Sequence, residues 1–401
     1  MKQIQVIIGA NYGDEGKGMM TDYFAKKAEE NKESCIVVCH NGGSQRGHTV
    51  ELCDKTRHVF HHFGSGVFAK ADTYFADSFL VNPMIYCLEK KELEKKLNIV
   101  SSIHCFANPS CCLTLPFDLL INQIAEESRA EKRHGSCGMG IFETILRSKY
   151  PLYRMELSNW KELSNQKRKE FLIRVREEYV KERLNEVTNG KLSNAWRERL
   201  YSPYLIENFL QDCHEFFLDV TLLESSILYQ YDRIIFEGGQ GLLLDQSNVE
   251  EMPHLTPSNT GLKNPAVFLK DLISLQESAI PEIEVCYVSR TYLTRHGAGN
   301  LFGECKREEV YAKEDRTNVT NPYQQSFRYA PLNKEELIKR IQNDFSSEFD
   351  SKQNIKLSLA ITHWKEKEET HLELEEWNLL KEMIDQMYIS DGTTRDTIRI
   401  F

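Results

Sequence analysis

The first part of the chain combines a short apolar run, a glycine-rich turn, a helical pattern and a second apolar run. The runs at residues 3–8 and 35–39 are predicted to be β-strands, the turn covers residues 9–18, and residues 19–30 have the pattern of an amphipathic helix. A strand, a glycine loop, a helix and a second strand in this order are typical of nucleotide-binding α/β domains. This segment therefore predicts an α/β fold.

Further strand-like runs follow at residues 73–75, 233–236 and 283–288. The last two runs are each followed by polar, glycine-containing sequence. Open α/β sheets bind their ligands beyond the carboxyl ends of the strands. We therefore expect a ligand site in these loops.

Residues 160–187 are charged, poor in glycine and helical in pattern. Together with residues 191–220, they are predicted to form a helical region on the sheet domain, with the charges on a solvated face or, alternatively, on a partner surface. The sequence contains no internal repeat, low-complexity tract or Gly/Ser linker. We therefore expect a single domain over residues 1–401, with a helical insertion at about residues 155–220.

Charge and composition exclude several classes of protein. The 401-residue chain has a net charge of −10, which argues against a nucleic-acid-binding protein because affinity for the phosphate backbone needs a basic surface. No apolar run approaches the ~18 residues that a membrane-spanning helix needs. The amino terminus is predicted to be a strand and not a signal peptide, so we expect a cytoplasmic protein. The 11 scattered cysteines, without a CxxC pair, then predict free thiols.

The glycine-rich turn, GANYGDEGKG, has the chemistry of a phosphate-binding loop. Its glycines allow the backbone to turn and to present N–H groups to phosphate oxygens, and the following helix adds its positive end. Lys17 supplies a positive charge for the β- and γ-phosphates. An ordinary phosphate loop, GxxxxGK[ST], binds magnesium through its last hydroxyl. Gly18 replaces that hydroxyl here, so Asp14 inside the turn is the candidate metal ligand or base.

This loop resembles the GxxWGDEGKGK opening of the adenylosuccinate synthetase family, with Tyr12 at the aromatic position. Further segments resemble the family's motifs in the same order along the chain: residues 41–49 GGHNAGHT, residues 236–245 FEGAQGxLLD, residues 253–260 PYVTSSNTT, residues 294–299 STRVGAG and residues 389–392 STGP. The resemblance covers essentially the whole chain. It implies the family's fold, a large central mostly parallel sheet surrounded by helices and related to phosphate-loop proteins.

The resemblance also implies a ligase that joins IMP and L-aspartate, consumes GTP, requires Mg²⁺ and forms a homodimer. Asp14 would take the proton from N1 of IMP so that O6 attacks the γ-phosphate, and His48 would stabilise that phosphate as it moves. Aspartate would then displace phosphate from carbon 6. Gln240 would contact the base edge, since an amide both donates and accepts. Asp14, Lys17, His48 and Gln240 are thus the implied catalytic residues, and Asp14 with the carbonyl group of Gly47 the implied metal ligands.

The resemblance assigns further residues to the three small-molecule partners. The residues implied for the nucleoside triphosphate are Gly13, Glu15, Gly16, Lys17, Gly18, His48, Thr49, Lys365, Ser390 and Gly392. Those implied for the purine monophosphate are Asp14, Gln45, Ser136, Cys137, Arg147, Gln240 and Thr256. Those implied for aspartate are Arg328 and Asn318.

The chain departs from the family at the monophosphate site. Residues 135–138, GSCG, replace the GTTG clamp for the 5′-phosphate; Ser136 keeps a hydroxyl, whereas the thiol of Cys137 donates poorly. An arginine of the partner subunit completes this clamp in the family, and Arg147 is the nearest candidate. Gln45 replaces an asparagine, so its amide lies one methylene further out.

The aspartate loop and the guanine site also differ. Arg328 is the one arginine in residues 318–329, where the family has an arginine run, and its guanidinium can still bind a carboxylate. The family's TKLD, whose aspartate accepts hydrogen bonds from guanine, becomes THWK. Lys365 offers donors only, so ATP becomes an alternative donor unless Asp391 supplies the carboxylate.

Three alternatives to an IMP ligase stay open. The phage 2-aminoadenylosuccinate synthetases act on dGMP and accept adenine nucleotides, but that branch lacks the loop aspartate, and Asp14 favours IMP. A catalytically silent nucleotide-binding regulator would need no proton acceptor, yet Asp14, Lys17, His48 and Gln240 are all present. A phosphate-loop NTPase would hydrolyse triphosphate without aspartate or monophosphate.

Overall fold

A ten-stranded sheet forms the centre of the protein. The computed structural model describes residues 2–97, 103–130, 133–275, 281–313, 326–350, 354–364 and 383–401. In chain order, the strands in these ranges are β1 (Gln3–Gly9), β2 (Cys35–Cys39), β3 (His48–Glu51), β4 (Arg57–Phe60), β5 (Asp72–Phe75), β6 (Cys105–Ala107), β7 (Val220–Leu222), β8 (Arg233–Gly241), β9 (Glu282–Arg290), β10 (Tyr292–Arg295), β11 (Arg328–Pro331), β12 (Ile355–Thr362), β13 (Gln386–Ser390) and β14 (Ile398–Ile400).

The large sheet has the order β14-β13-β12-β9-β1-β8-β2-β5-β6-β7. Its neighbouring strands are parallel, except that β14 is antiparallel to β13. Two separate antiparallel pairs, β3 with β4 and β10 with β11, lie beside it. The prediction of a large, mostly parallel sheet with surrounding helices is confirmed.

The α-helices cover the sheet. In chain order they are α1 (Lys17–Asn31), α2 (Pro83–Lys96), α3 (Pro116–Arg129), α4 (Ile141–Ser148), α5 (Leu157–Glu162), α6 (Asn165–Val175), α7 (Lys181–Thr188), α8 (Asn194–Leu200), α9 (Pro203–Asp219), α10 (Lys263–Leu275) and α11 (Lys334–Glu348). A π-helical turn joins α6 to α7. Within the described ranges, no helix combines the length and the apolar content that a membrane crossing requires.

The central strands are buried on both faces. In β1, Ile4 and Val6 belong to the apolar cluster on one face, which includes residues of α10 and α11. Ile7 belongs to the cluster on the other face, which includes residues of α1. Because alternate side chains of a strand point to opposite faces, a sheet covered on both sides requires nearly continuous apolar strands. This explains why Ile4, Val6, Ile7 and Ile8 of β1 are all apolar.

The helices α5 to α9 lie in the range for which the helical insertion is predicted. Trp160, Phe171 and Phe209 are buried in the same apolar cluster as Phe117 of α3 and Phe75 of β5. The helical region therefore attaches to the sheet by a continuous hydrophobic core and not only by its charged residues.

The parallel strands end at one edge of the sheet. Gly9, Cys39, Gly241, Arg290 and Thr362 are the last residues of β1, β2, β8, β9 and β12. The loops that follow these residues lie side by side, because the five strands are consecutive in the sheet, in the order β12-β9-β1-β8-β2. All 11 cysteines of the chain are free thiols.

Candidate active site

A cavity of about 1240 Å³ lies at this carboxyl edge of the sheet. It exceeds the ~300–1,000 Å³ of a typical small-molecule pocket and has room for more than one ligand. The sequence-predicted site residues that line it are Gly13, Asp14, Glu15, Gly16, Lys17, Gly18, Gln45, Gly47, His48, Thr49, Ser136, Cys137, Gln240, Thr256 and Gly392. Segments that are far apart in the sequence thus contribute to one cavity.

The phosphate loop encloses one of its own carboxylates. The backbone N–H groups of Asn11 and Gly13 donate to Oε1 of Glu15 over 3.0 and 2.8 Å. The ammonium group of Lys17 donates to Oε2 over 3.0 Å. Oriented N–H groups with a lysine are the donors that a phosphate requires, so Glu15 occupies an anion site. Gly13 and Gly16 provide the turn, with φ angles of 106° and 102° that favour glycine.

Neighbouring strands hold the rest of this loop. Asp14 has a left-handed φ of 61°, and its carbonyl group accepts a hydrogen bond from Nε of Arg290 over 2.5 Å. The hydroxyl group of Thr362 donates to the carbonyl oxygen of Glu15 over 2.8 Å. Because β9 and β12 hold the carbonyl groups of Asp14 and Glu15, the half-buried Asp14 has a defined place in the cavity wall.

His48 is the first residue of β3, after the loop that follows β2, and it lies directly against the phosphate loop. Its Nδ1 is 2.9 Å from Oε1 of Glu237, and burial lowers its pKa, which favours a neutral imidazole. A Cβ atom on Gly18 would lie 2.9 Å from the Cβ of His48. This contact gives a physical reason for glycine where ordinary phosphate loops have serine or threonine.

Two amide side chains reach the cavity with polar atoms that need partners. Among the described residues, neither amide atom of Gln45 has a hydrogen-bond partner, and the same holds for Oε1 of Gln240. All three atoms are buried. Buried polar atoms are almost always hydrogen-bonded in folded proteins, so a ligand or water is expected at each of them.

The segment with Ser136 and Cys137 approaches the cavity from the other side. Nδ2 of Asn122 donates to the hydroxyl group of Ser136 over 2.7 Å. Gly135 and Gly297 bring two cavity loops into backbone contact: a Cβ on Gly297 would lie 2.7 Å from the carbonyl oxygen of Gly135. Both glycines have left-handed φ angles, 82° and 75°. Glycine at these positions therefore allows the two loops to meet.

Arg147 lies away from the cavity, contrary to the place that the sequence gives it. Its side chain is fully buried, and its guanidinium group donates to Asp118 over 2.8 Å and to the carbonyl group of Leu113 over 2.7 Å. The face of α4 that carries Arg147 is turned towards α3, so a partner subunit cannot receive this side chain. Arg147 therefore forms a structural ion pair with Asp118.

Arg328 also lies outside the cavity lining. Its guanidinium group pairs with Glu304 and donates to the carbonyl groups of Gly297 and Gly299 over 3.0 and 2.8 Å. Ser390 is buried and donates to the carbonyl group of Gly392 over 3.0 Å, so it supports the turn whose neighbours Asp391 and Gly392 line the cavity. The predictions for Lys365 and Asn318 lie outside the described residues.

Sequence reasoning gave no role to several residues of the site. Arg46 and Glu237 form a buried ion pair beneath His48, and Arg290 and His61 line the cavity. Arg46 and Glu237 stand inside segments that resemble family motifs, and Arg290 is the last residue of the apolar strand β9. The motifs could have identified Arg46 and Glu237, but the contacts of both depend on residues that are distant in the sequence.

The oxygen ligands that the cavity offers fit magnesium better than a softer metal. Among the described residues, no three His, Cys, Asp or Glu side chains are grouped so as to hold a metal ion. Asp14 and Gly47 line the cavity and supply a carboxylate and a backbone carbonyl group. Mg²⁺ commonly takes one or two protein oxygens and completes its shell with phosphates and water. These donors suit a Mg²⁺ ion that arrives with a nucleotide.

Comparisons with known proteins show similarity to one protein family. The family model described as adenylosuccinate synthetase matches residues 6–321. The chain is 30% identical to an adenylosuccinate synthetase of Acaryochloris marina over 264 residues, 63% of this chain and 53% of the relative. It is 27% identical to that of Mycoplasma mycoides over 315 residues, 78% of this chain and 66% of the relative. The matches thus span between about half and two thirds of the length of these curated relatives.

Two solved structures are similar to the whole chain. The fully ligated adenylosuccinate synthetase of Plasmodium falciparum has a TM-score of 0.67 at 16% identity, with 100% of both chains covered. The succinoaminodeoxyadenylate synthetase of cyanophage S-2L, bound to dGMP and to dATP as an energy donor, has a TM-score of 0.58 at 14% identity and covers 100% of this chain and 95% of its own. At such identities the likeness concerns the fold alone.

Proposed function

This chain belongs to the adenylosuccinate synthetase family, and from that premise we propose that it joins L-aspartate to carbon 6 of IMP and hydrolyses GTP to GDP and phosphate. One observation carries the proposal: Asp14, Lys17, His48 and Gln240 line one cavity, although they come from the loop after β1, the start of α1, the start of β3 and the end of β8. A nucleotide-binding protein without chemistry has no use for a carboxylate base and a buried histidine beside its phosphate loop.

In the first step, the carboxylate of Asp14 takes the proton from N1 of IMP. O6 then attacks the γ-phosphorus, the bond to the β-phosphate oxygen breaks, and GDP leaves. Lys17 and His48 stabilise the charge of the transferred group, a task that depends mostly on positioning and electrostatics. Gln240 meets the base edge with its buried amide oxygen. Asp14 and the carbonyl group of Gly47 would hold a Mg²⁺ ion, and its charge would neutralise that of the phosphoryl oxygens.

In the second step, the amine of aspartate attacks carbon 6 and phosphate leaves, so that adenylosuccinate forms. Phosphorylation is needed first because the oxygen on the purine ring is a poor leaving group. Aspartate as co-substrate and a homodimeric assembly rest on family membership, since Arg328 is occupied by Glu304.

A second candidate is a 2-aminoadenylosuccinate-type synthetase that uses GMP or dGMP with ATP. The specific observation in its favour is Lys365, which offers donors where the family's guanine-binding aspartate accepts. The cyanophage relative, bound to dGMP and dATP, has the same fold. Asp14 favours IMP, because the phage 2-aminoadenylosuccinate synthetases lack the aspartate of this loop and this chain keeps it.

A phosphate-release assay with Mg²⁺ separates these functions. IMP, GMP and dGMP are each combined with GTP and with ATP, with and without aspartate. Release that requires both IMP and aspartate would support the proposal and identify the donor. Release with dGMP or GMP in place of IMP would favour the second candidate. Release without either co-substrate would leave an NTPase, and binding without release would leave a regulator.

A further inference from the structure

Arg290 is a buried arginine that ties the central sheet to the phosphate loop. It is the last residue of β9, it lines the cavity, and it is 5% exposed. Its Nε donates to the carbonyl oxygen of Asp14 over 2.5 Å, although the two residues are 276 positions apart in the sequence. A hydrogen bond from a charged donor is strong, and burial removes the competition of water. The position of Asp14 therefore depends on a distant strand.

Two aromatic rings hold the guanidinium group of Arg290 in place. Its central carbon lies 5.7 Å from the centre of the Tyr292 ring and 5.6 Å from that of the Phe327 ring. NH1 also donates to the hydroxyl group of Tyr292 over 3.4 Å. Tyr292 is 3% exposed, and its hydroxyl group lies 3.3 Å from Nδ1 of His363. A planar guanidinium group packed against two rings has little freedom to rotate, so its Nε points in one direction.

The backbone of Asp14 has a conformation that needs such support. Its φ of 61° is left-handed, which costs free energy for a residue with a side chain, although aspartate tolerates it better than most. The nearby left-handed positions of the loop, with φ angles of 106° and 102°, are occupied by Gly13 and Gly16. A non-glycine residue keeps this conformation only where its surroundings determine it. The bond from Arg290 is one such determinant.

The same bond restricts where the Asp14 side chain points. Before Asp14, the N–H group of Gly13 donates to Oε1 of Glu15 over 2.8 Å. After Asp14, the carbonyl group of Glu15 accepts a hydrogen bond from the hydroxyl group of Thr362 over 2.8 Å. A change of Asp14 to a right-handed conformation would reorient the peptide groups on both sides of its Cα. Such a change would break the bond to Arg290 and move the carboxylate.

We propose that Arg290 is a positioning residue, which holds the left-handed backbone of Asp14 and thereby keeps its carboxylate directed into the cavity. The task of that carboxylate, removal of a proton from the purine monophosphate, rests on the proposed function, whereas the backbone conformation does not. Arg290 needs no contact with a substrate for this role. Its contribution belongs to kcat, because the rate of a chemical step falls steeply when a reacting group is displaced.

A single NMR signal reports on this bond in the ligand-free protein. Asp14–Glu15 is the one place in the sequence where glutamate follows aspartate. Protein labelled with ¹³C at the backbone carbonyl of aspartate and with ¹⁵N in glutamate therefore gives one HNCO cross-peak, that of the Asp14 carbonyl group. Arg290→Met and Arg290→Gln are a matched pair, because methionine places a methyl group, and glutamine an N–H donor, as many bonds from Cα as Nε of arginine. A carbonyl carbon is deshielded by a hydrogen bond, so the signal should move upfield in Arg290→Met and less in Arg290→Gln.

Kinetics of the same variants separate positioning from substrate binding. Arg290→Met should lower kcat about a hundredfold, as expected when a reacting group is displaced by about 1 Å, and leave the KM of each substrate within about threefold. Arg290→Gln keeps a donor and should lose less than about tenfold in kcat. The control is Arg233→Met: Arg233 is 4% exposed, and its Nε donates to Glu33 over 2.8 Å at the start of β8, the end opposite to the cavity. Both methionine variants should lower Tm, but the control should keep the kcat of the wild type.

An Asp14 signal that stays at its wild-type position in Arg290→Met would overturn the proposal. A raised KM with an unchanged kcat would make Arg290 a substrate ligand instead, and equal kcat losses in Arg290→Met and Arg233→Met would assign the loss to general destabilisation. If Arg290→Met does not fold, Arg290→Leu, which also lacks a donor, takes its place in both measurements. If the wild-type enzyme forms no ligase product, the proposed function fails, and the NMR signal still decides whether Arg290 holds the backbone of Asp14.

Discussion

The ammonium group of Lys17 lies 3.0 Å from the carboxylate of Glu15, and both side chains are 2% exposed. A triphosphate needs the donors that Glu15 holds, so this carboxylate must move when the nucleotide binds. We expect Glu15→Gln to bind the triphosphate about fivefold more tightly, because one charge-assisted competitor worth about 1 kcal/mol is lost. Titration of a fluorescent nucleotide measures this. Unchanged affinity would mean that Glu15 keeps its place in the bound state.

Asp14→Asn should remove turnover and spare monophosphate binding. The amide keeps the size of the side chain but cannot take a proton, and general-base contributions amount to about 10²–10⁴-fold. The control is Asp54→Asn, an exposed carboxylate that accepts a hydrogen bond from the backbone of Thr56 in the β3–β4 turn. Product formation is followed with saturating substrates. A variant as active as the wild type would refute the assignment of the base.

The glycine contact between two cavity loops gives a structural prediction. Gly135→Ala places a Cβ 2.6 Å from the backbone nitrogen of Ala298, whereas Gly190→Ala, with a similar φ of 76°, meets only the side chain of Asn185 at 3.2 Å. Both variants should lose about 1–2 kcal/mol through the left-handed backbone. Only Gly135→Ala should also weaken monophosphate binding, as measured by calorimetry. Equal binding by the two variants would contradict a role of this contact in the site.

The buried carboxyl group of Asp22 should make the free energy of unfolding depend on pH. Burial raises its pKa to about 7, although Arg395 opposes this at 2.7 Å. A carboxyl group with a raised pKa binds its proton more tightly in the folded state, so its contribution to stability falls as pH rises from about 4 to about 7 and is flat above. Asp22→Asn should remove this slope from a plot of Tm against pH. The same slope in the variant would assign it to other groups.

The parts of the fold that local patterns encode were predictable from the sequence. The runs at residues 3–8 and 35–39 became β1 and β2, and the helix expected at residues 19–30 is α1. The run at residues 233–236 continues to Gly241, because the glycine segment stays paired with β1 through Gly9. Glycines within a strand weaken a pattern-based prediction, whereas pairing with a neighbour depends on the tertiary structure.

The site was predictable where a residue acts through its own loop and unpredictable where a distant residue determines its partner. Lys17, His48 and Gln240 line the cavity. Arg147 does not, because Asp118, 29 residues earlier, binds it. Arg46 stands in a motif, but the carboxylate that neutralises it is that of Glu237, 191 residues away. A buried charge needs a partner of opposite charge. When the two residues are far apart in the sequence, the sequence does not indicate which of them pair.

The last prediction concerns the purine base of the triphosphate, guanine or adenine. Asp391 lines the cavity; one carboxylate oxygen pairs with Arg399, and within the described part of the chain the other is buried without a hydrogen-bond partner. A carboxylate can accept hydrogen bonds from both N1–H and the amino group of guanine, whereas adenine offers one such donor group. If this oxygen meets the base, Asp391→Asn should lower kcat/KM with GTP by about tenfold and leave that with ATP within about twofold, since one charge-assisted bond is worth about 1.5 kcal/mol. Lys365→Asp should shift the preference in the opposite direction, towards GTP. The measurement is the ratio of kcat/KM with GTP to kcat/KM with ATP. Equal changes of both values in the Asp391 variant would mean that the purine base binds elsewhere.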